Sequence, residues 1–220
     1  MARDGWLNRA WLPESRPISP AFSSWLDGLR WIAAALVCSA HVRSALLADY
    51  GAPAGHQPWA AAFYWGHGFG HQAVIVFFVL SGFLVGGEVL RGLRQASFDW
   101  RVYGIRRFSR LYPVYLAALL LGALWDNLGL HFFNDRLVYN SAASPFPMIF
   151  YPVVERLTPG VLEGNLLFLQ GVLVPTFGSN SPLWSLANEA WYYFLFPLLL
   201  WPFFAAGRPG GRLACFVLFA

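Results

Sequence analysis

The sequence has no lysine, and charged residues of all kinds make up only 12% of its 220 residues. A soluble domain ordinarily carries about a quarter charged residues, so this chain has too little charge to cover a surface that faces water. Hydrophobic residues reach 57% and include 11 Trp, 9 Tyr and 20 Phe. Trp and Tyr concentrate at the interfaces between membrane and water. The composition therefore predicts a membrane protein with the lipid bilayer as its solvent.

Cysteine is also scarce, because only Cys38 and Cys215 are present and both lie in apolar runs. Two such residues exclude a disulfide framework and show no metal-ligand spacing, so we expect no metal and no permanently bound cofactor. The net charge of +4 comes from clustered arginines, and this pattern argues against a nucleic-acid partner. Residues 1–24 lack the apolar run of a cleavable signal peptide.

A bilayer core of ~30 Å needs roughly 20 mostly apolar residues in a helix. Apolar runs of suitable character occupy residues 25–48, 72–90, 111–128, 161–174 and 187–206, and a sixth begins at Leu213. We predict an all-α fold, a polytopic transmembrane helix bundle with about five or six spans. Residues 1–24 form a cytoplasmic lead-in and residues 25–220 form the membrane domain. We expect this domain to continue past Ala220, because a half-span leaves backbone groups unsatisfied in lipid.

The arginines predict the orientation. Six of them lie between the second and third runs, whereas the loop before the second run, residues 49–71, has none. Because positive loops face the cytoplasm, we predict a multi-pass inner-membrane protein with a cytoplasmic N-terminus. The run 161–174 is short enough to be either a tilted span or a re-entrant segment. If all five runs cross, Arg208 and Arg212 fall on the outer side, which the rule disfavours.

Ionisable residues inside apolar spans are costly and are functional candidates. The first span contains Asp27, Arg30 and His41. At ~100° and ~1.5 Å per residue, Arg30 and His41 share one face and lie about 16 Å apart along the axis. Asp27 is one turn before Arg30 and can pair with it. A neutral imidazole can act as a general base towards a hydroxyl, which makes His41 a catalytic candidate. The alternative is structural, with Arg30 as an interfacial anchor and His41 as a bond between helices.

A second cluster of charge follows the second span, where Arg106, Arg107 and Arg110 lie within one helical turn of each other. Guanidinium groups bind phosphates through two parallel hydrogen bonds, so the cluster predicts a site for a phosphate-bearing molecule at the cytoplasmic membrane edge. The alternative is that these arginines only fix the topology and contact anionic lipid headgroups.

A carboxylate enters the fifth run at Glu189, within the stretch LWSLANEAWYYF. In lipid it must face the protein interior. There it can orient His41, bind an acceptor hydroxyl or form a structural pair with an arginine.

These segments together resemble the acyltransferase-3 family of bacterial membrane O-acyltransferases. Six short motifs carry the resemblance in this order: LDGLR at Leu26–Arg30, His41 with ten residues between it and Arg30, FFVLSGFL at Phe77–Leu84, RRFSRLYPVY at Arg106–Tyr115, NLLFLQ at Asn165–Gln170, and LWSLANE at Leu183–Glu189. Each motif is weak alone, but their order and spacing over residues 26–197 make the match specific.

The resemblance implies a fold of about ten transmembrane helices, of which this chain holds roughly half. It implies acyl-CoA, usually acetyl-CoA, as donor and a hydroxyl acceptor, most often on a glycan. By position, His41 matches the essential histidine of the family and Arg30 the arginine of its Arg-x10-His motif. Arg107 and Arg110 match its Arg-x-x-Arg motif, and Glu189 its WSL-x-x-E carboxylate.

Two positions depart from the pattern of many family members. Ile75 replaces an aspartate before the FF pair, and Ala190 replaces a second glutamate after Glu189. A charge relay through that aspartate is therefore not expected here. Neither change affects His41, so the predicted function is polysaccharide-modifying O-acyl transfer, with His41 and Glu189 catalytic and Arg30, Arg106, Arg107 and Arg110 binding acyl-CoA. Two other hypotheses remain at this stage: a transporter or flippase for a lipid-linked or anionic solute, and an inactive scaffold.

Overall fold

A computed structural model describes residues 19–47, 58–95, 97–133, 139 and 151–204. Within these ranges the regular elements are six α-helices and one 3₁₀ turn, with a single isolated β-bridge and no strand. The helices are α1 (Pro20–Leu46), α2 (Pro58–Gly66), α3 (Gly70–Arg94), α4 (Trp100–Phe133), α5 (Pro159–Leu166) and α6 (Leu183–Phe204), and the 3₁₀ turn is Val153–Arg156. The predicted all-α class is confirmed for the described part of the chain.

The first residues of three helices explain where those helices begin. The Ser19 hydroxyl accepts a hydrogen bond from the Phe22 backbone N–H, and Pro20 follows it in the first turn of α1. Thr158 does the same before Pro159 in α5. The Asp99 carboxylate accepts two backbone N–H groups at the start of α4. These are N-caps, which satisfy donors that have no partner inside the helix.

Side-chain contacts define the direction of the long helices. The α1 and α3 helices are antiparallel, because the Phe22 ring contacts the Phe83 ring at one end and Ala40 abuts Gly70 at the other. A Cβ on Gly70 would overlap the Ala40 side chain, so glycine permits this close crossing. The α4 helix runs opposite to α6. Near the start of α4 the Tyr103 hydroxyl donates a 3.0 Å hydrogen bond to the backbone oxygen of Tyr193, and further along α4 the backbone oxygen of Ala118 accepts one from Asn180, which precedes α6.

Two helical segments are long and apolar enough to cross a membrane, Ala61–Arg94 and Trp100–Phe133. Only 28% and 17% of their most apolar windows are buried inside the protein. Large apolar side chains therefore point outwards, for example Val79, Phe83 and Leu120. Exposed apolar faces of this extent are unfavourable in water and suit a lipid environment.

The run 161–174 does not cross the membrane as a helix. Its helix, α5, has eight residues and is about 12 Å long, against the ~30 Å of a bilayer core. The chain then turns back towards α6 through residues 167–182. A tilted helical span is therefore excluded for this run, and the re-entrant alternative stays a prediction that is compatible with its shape.

Buried hydrogen bonds hold this re-entrant segment against α4. The Tyr115 hydroxyl donates to the backbone oxygen of Asn165 at 2.7 Å and accepts from the Gln170 amide at 2.7 Å. The Asn165 side chain bonds the backbone of Val161, Pro175 and Phe177. The NLLFLQ motif thus has a structural role, since its two amides replace the backbone partners that an irregular segment lacks.

A second anchor of the segment is the buried carboxylate of Asp126 on α4. It accepts hydrogen bonds from the Ser179 backbone N–H at 2.8 Å and the Ser179 hydroxyl at 2.6 Å. Gly178 has a φ of +59°, and a Cβ there would overlap the Asp126 carboxylate. Position 178 therefore requires glycine both for its backbone and for its space.

Several predicted features lie outside the described residues. They are the cytoplasmic lead-in before Ser19, the sixth apolar run from Leu213, and the pair Arg208 and Arg212. The described part of α6 ends beside the start of α4, where the Trp201 and Trp100 rings are 5.8 Å apart. The end of α6 and the arginine-rich start of α4 thus lie on the same side of the bundle.

Candidate functional site

A cavity of about 630 Å³ lies between α1, α3, α4 and α6. Its walls comprise an apolar part with Val37 and Phe77 and a charged part that holds four arginines and two glutamates. The charged lining residues are Arg30, Glu88, Arg91, Arg107, Arg110 and Glu189. Along α3 the lining runs from Val74 to Arg91, which is about 25 Å at ~1.5 Å per residue. The cavity is therefore an elongated groove along α3.

The arginine end of the groove is built by α3 and α4. Arg107 is nearly buried, with 14% of its side chain exposed, and its guanidinium contacts the Glu88 carboxylate. It also lies over the Tyr103 and Tyr193 rings, 5.4 and 5.6 Å from their centroids. Arg110 lines the groove as predicted. Arg106 does not line it; it is 65% exposed and its Nη1 lies 3.5 Å from Glu88 Oε1.

Arg30 enters the same groove from α1. Its predicted pair with Asp27 is confirmed, with 3.6 Å between Nη1 and Oδ1. The antiparallel packing of α1 on α3, from Phe22 against Phe83 to Ala40 against Gly70, puts Arg30 beside the middle of α3. Arg30 thus lies partway along the groove.

His41 is half-buried on α1 and is not one of the residues that line the groove. The lining residues of α1 are Arg30 and Val37, and His41 follows Val37 by four residues. Because residues four apart share a helix face, His41 lies one turn beyond the end of the groove on its α1 side. The described residues provide no hydrogen-bond partner for its ring.

Glu189 lies near the middle of the groove, where α3 and α6 meet. Its Oε1 accepts a hydrogen bond from the Ser81 hydroxyl at 3.2 Å and another from the Tyr193 hydroxyl. Its Oε2 has no hydrogen-bond donor among the residues that the structure describes. The carboxylate is also not ion-paired with an arginine in that part of the chain. One oxygen is thus fixed by two hydroxyl groups of the protein, and Glu189 lines the groove.

Sequence reasoning missed three residues of this site. It did not propose Ser81 or Tyr193 as site residues, and it used Arg91 only for topology, yet all three line the groove. The i, i+4 spacing of Glu189 and Tyr193 was a usable signal, because such residues contact each other on a helix. The contact between Ser81 and Glu189 joins residues 108 positions apart, and no local pattern indicates it.

Comparison with known proteins finds relatives that align with most of this chain. It is 31% identical to the acyltransferase MdmB of Streptomyces mycarofaciens over 182 residues, which cover 79% of this chain and 38% of MdmB. It is 27% identical to the putative peptidoglycan O-acetyltransferase YrhL of Bacillus subtilis, over 80% of this chain and 23% of YrhL. The peptidoglycan O-acetyltransferase OatA of Listeria monocytogenes is also 27% identical, over 80% of this chain and 24% of OatA.

The chain spans less than half of the length of these curated relatives. No solved structure matches it at a significant level. The family model described as an acyltransferase domain matches residues 23–220, which is nearly the whole chain. The resemblance inferred from the six motifs is therefore confirmed, and the chain belongs to the acyltransferase-3 family.

Proposed function

We propose that this chain is part of an integral inner-membrane O-acyltransferase, which moves an acyl group, usually acetyl, from acyl-CoA to a hydroxyl of a cell-envelope glycan. The observation that carries the proposal is one groove lined both by an arginine cluster and by Glu189. The arginines suit a polyanionic donor, and the carboxylate suits a hydroxyl acceptor. Family membership supports the reaction class.

In this proposal the donor binds through its phosphates. Arg107 and Arg110 lie one helical turn apart at the charged end, and Arg30 extends the cationic lining towards the middle of the groove. Guanidinium groups suit this task because their planar N–H donors match phosphate oxygens. Arg106 is exposed beside this end and attracts the donor from solution without lining its final site. The apolar part of the groove then accommodates the uncharged arm that carries the thioester.

The proposed chemistry is direct acyl transfer. The oxygen of the acceptor hydroxyl attacks the thioester carbonyl carbon, a C–O bond forms, and the C–S bond breaks. His41 takes the hydroxyl proton as general base and returns a proton to the departing CoA thiolate. Support for this role is its position one turn beyond Val37 on the face of α1 that lines the groove. The free Glu189 Oε2 accepts a hydrogen bond from the acceptor and orients it.

We further propose that the arginine end faces the cytoplasm, where acyl-CoA is made. The positive-inside rule supports this orientation. If residues 161–174 are re-entrant, the proposed crossing helices are α3 and α4 together with α1 and α6, whose 27 and 22 residues are long enough to span a bilayer core of ~30 Å. With four crossings, α6 returns to the arginine side beside Trp100. This removes the conflict that Arg208 and Arg212 presented for five spans, and it is compatible with a cytoplasmic N-terminus.

A cell-envelope glycan is the proposed acceptor because YrhL and OatA are named for acetylation of peptidoglycan. MdmB is named only as an acyltransferase, so other hydroxyl compounds are the competing acceptor class.

The test is release of free CoA thiol from acetyl-CoA by the full-length protein in detergent or nanodiscs, with and without a glycan acceptor. We expect thiol release that depends on the acceptor and an acetyl ester on the glycan. Uptake of an anionic solute into proteoliposomes without thiol release would instead identify a transporter.

A further inference from the structure

The arginine end of the groove already contains an anion of the protein itself. The Glu88 carboxylate contacts the guanidinium of Arg107, and its Oε1 lies 3.5 Å from Nη1 of Arg106. Glu88 and Arg107 both line the groove. A phosphate that approaches Arg107 therefore meets a carboxylate that already uses part of the same guanidinium.

The two partners differ in how easily they can move. Arg107 is 14% exposed and lies between contacts with the Tyr103 and Tyr193 rings, so the surrounding protein holds it in place. Glu88 is 35% exposed and has a flexible side chain. Arg91 follows it on α3 by three residues, within the reach of an i, i+3 ion pair, and Arg91 is exposed. When an anion binds, Glu88 is thus the group that can leave, and Arg91 can receive it.

We propose that Glu88 is an internal counter-ion that occupies part of the donor's phosphate site and must be displaced when the donor binds. This inference rests on the proposed donor site. Each entering anion has to break the pair between Glu88 and Arg107 before it gains that guanidinium. A donor with several phosphates also reaches Arg110 and Arg30 and offsets this cost. A singly phosphorylated solute gains fewer contacts, so Glu88 keeps such anions from filling the groove.

The matched substitutions are Glu88→Gln and Glu163→Gln. The first keeps the shape of the side chain and removes its charge, and Glu88→Ala is a second variant in which no amide remains near Arg107. Glu163 is exposed on α5 and does not line the groove, so its variant changes the total charge equally and serves as control. Binding of inorganic pyrophosphate and of CoA to the full-length protein is measured by calorimetry.

We expect Glu88→Gln and Glu88→Ala to bind both probes about tenfold more tightly, a size typical of coupling between two sites. Glu163→Gln should bind them as the unaltered protein does. The gain should disappear when Arg107→Ala is added, because the cycle isolates the interaction between the two residues.

If the unaltered protein binds the probes and both Glu88 variants bind them equally well or more weakly, this inference alone would be overturned. Glu88 would then only hold Arg107 in position. Absence of pyrophosphate and CoA binding in every protein would overturn the proposed donor site, and this inference with it.

Discussion

The Ser81 hydroxyl donates a 3.2 Å hydrogen bond to Oε1 of Glu189 and thereby joins α3 to α6 in the middle of the groove. The same oxygen accepts a second hydrogen bond, from the Tyr193 hydroxyl. Two donors on one oxygen restrict the rotation of the carboxylate, whereas its second oxygen has no donor among the described residues. In the proposed reaction, Glu189 is therefore oriented before the acceptor arrives.

Removing either donor should loosen Glu189. We expect Ser81→Ala and Tyr193→Phe each to lower kcat about threefold to tenfold, because each deletes one hydrogen bond to a charged group. The donor KM should change little for Ser81→Ala, since Ser81 carries no charge for the phosphates. Steady-state thiol release measures both constants.

Tyr192→Phe is the control for Tyr193→Phe. Tyr192 is 51% exposed, and its ring packs against Phe78. It should lose no activity, and a loss equal to that of Tyr193→Phe would show that the effect of Tyr193→Phe does not come from its hydrogen bond to Glu189.

Replacement of Glu189 itself should be more severe. Glu189→Gln keeps the size of the side chain but replaces the proposed hydrogen-bond acceptor by a neutral amide. We expect kcat to fall about 10²-fold to 10³-fold, the range seen when a positioned polar group is removed from an active site. The melting temperature in detergent should remain within a few degrees. A variant with normal kcat would exclude a catalytic role for Glu189.

The re-entrant segment should depend on Asp126 for stability rather than for chemistry. Asp126→Ala leaves the Ser179 backbone N–H and hydroxyl without their acceptor in a buried site. We expect a loss of about 2–4 kcal/mol in the free energy of unfolding. Thermal unfolding followed by tryptophan fluorescence measures this change. Asn127→Ala, at the exposed neighbouring position, is the control and should cost less than about 1 kcal/mol.

Gly178→Ala should also lower the stability of the protein, because it disturbs the same contact with Asp126 from the other side. Its φ of +59° disfavours a side chain, and its Cβ would overlap the Asp126 carboxylate. We expect a loss of stability of about 1–3 kcal/mol. If the melting temperature is unchanged, the described packing of the segment on α4 is wrong.

The sequence predicted the helical class, the ion pair of Asp27 with Arg30, and the arginines at one end of the site, because these depend on local spacing and on the cost of charge in lipid. The re-entrant form of 161–174 was one of two alternatives. Hydropathy alone did not decide between them, since the turn depends on buried amides from Asn165 and Gln170 that contact α4.

The site was harder to predict than the fold. Contacts between helices, such as Ser81 with Glu189, depend on how far each helix is rotated about its axis, and a helical pattern does not fix this rotation relative to another helix. Glu88 is a clear case. It lies at the end of an apolar run that six arginines follow, and only the packing of α3 on α4 selects Arg106 and Arg107 as its partners.

The proposed reaction divides the groove, because one end binds the donor and the chemistry takes place towards the other end. Its most direct test is the rate of thiol release at varied acetyl-CoA concentration for Arg110→Ala and His41→Ala, with Arg101→Ala as the control because Arg101 is exposed and does not line the groove. We predict that Arg110→Ala raises the donor KM at least about tenfold with kcat largely retained, and that His41→Ala lowers kcat at least about 10²-fold. Normal kcat for His41→Ala, or an unchanged donor KM for Arg110→Ala, would contradict this division of the groove.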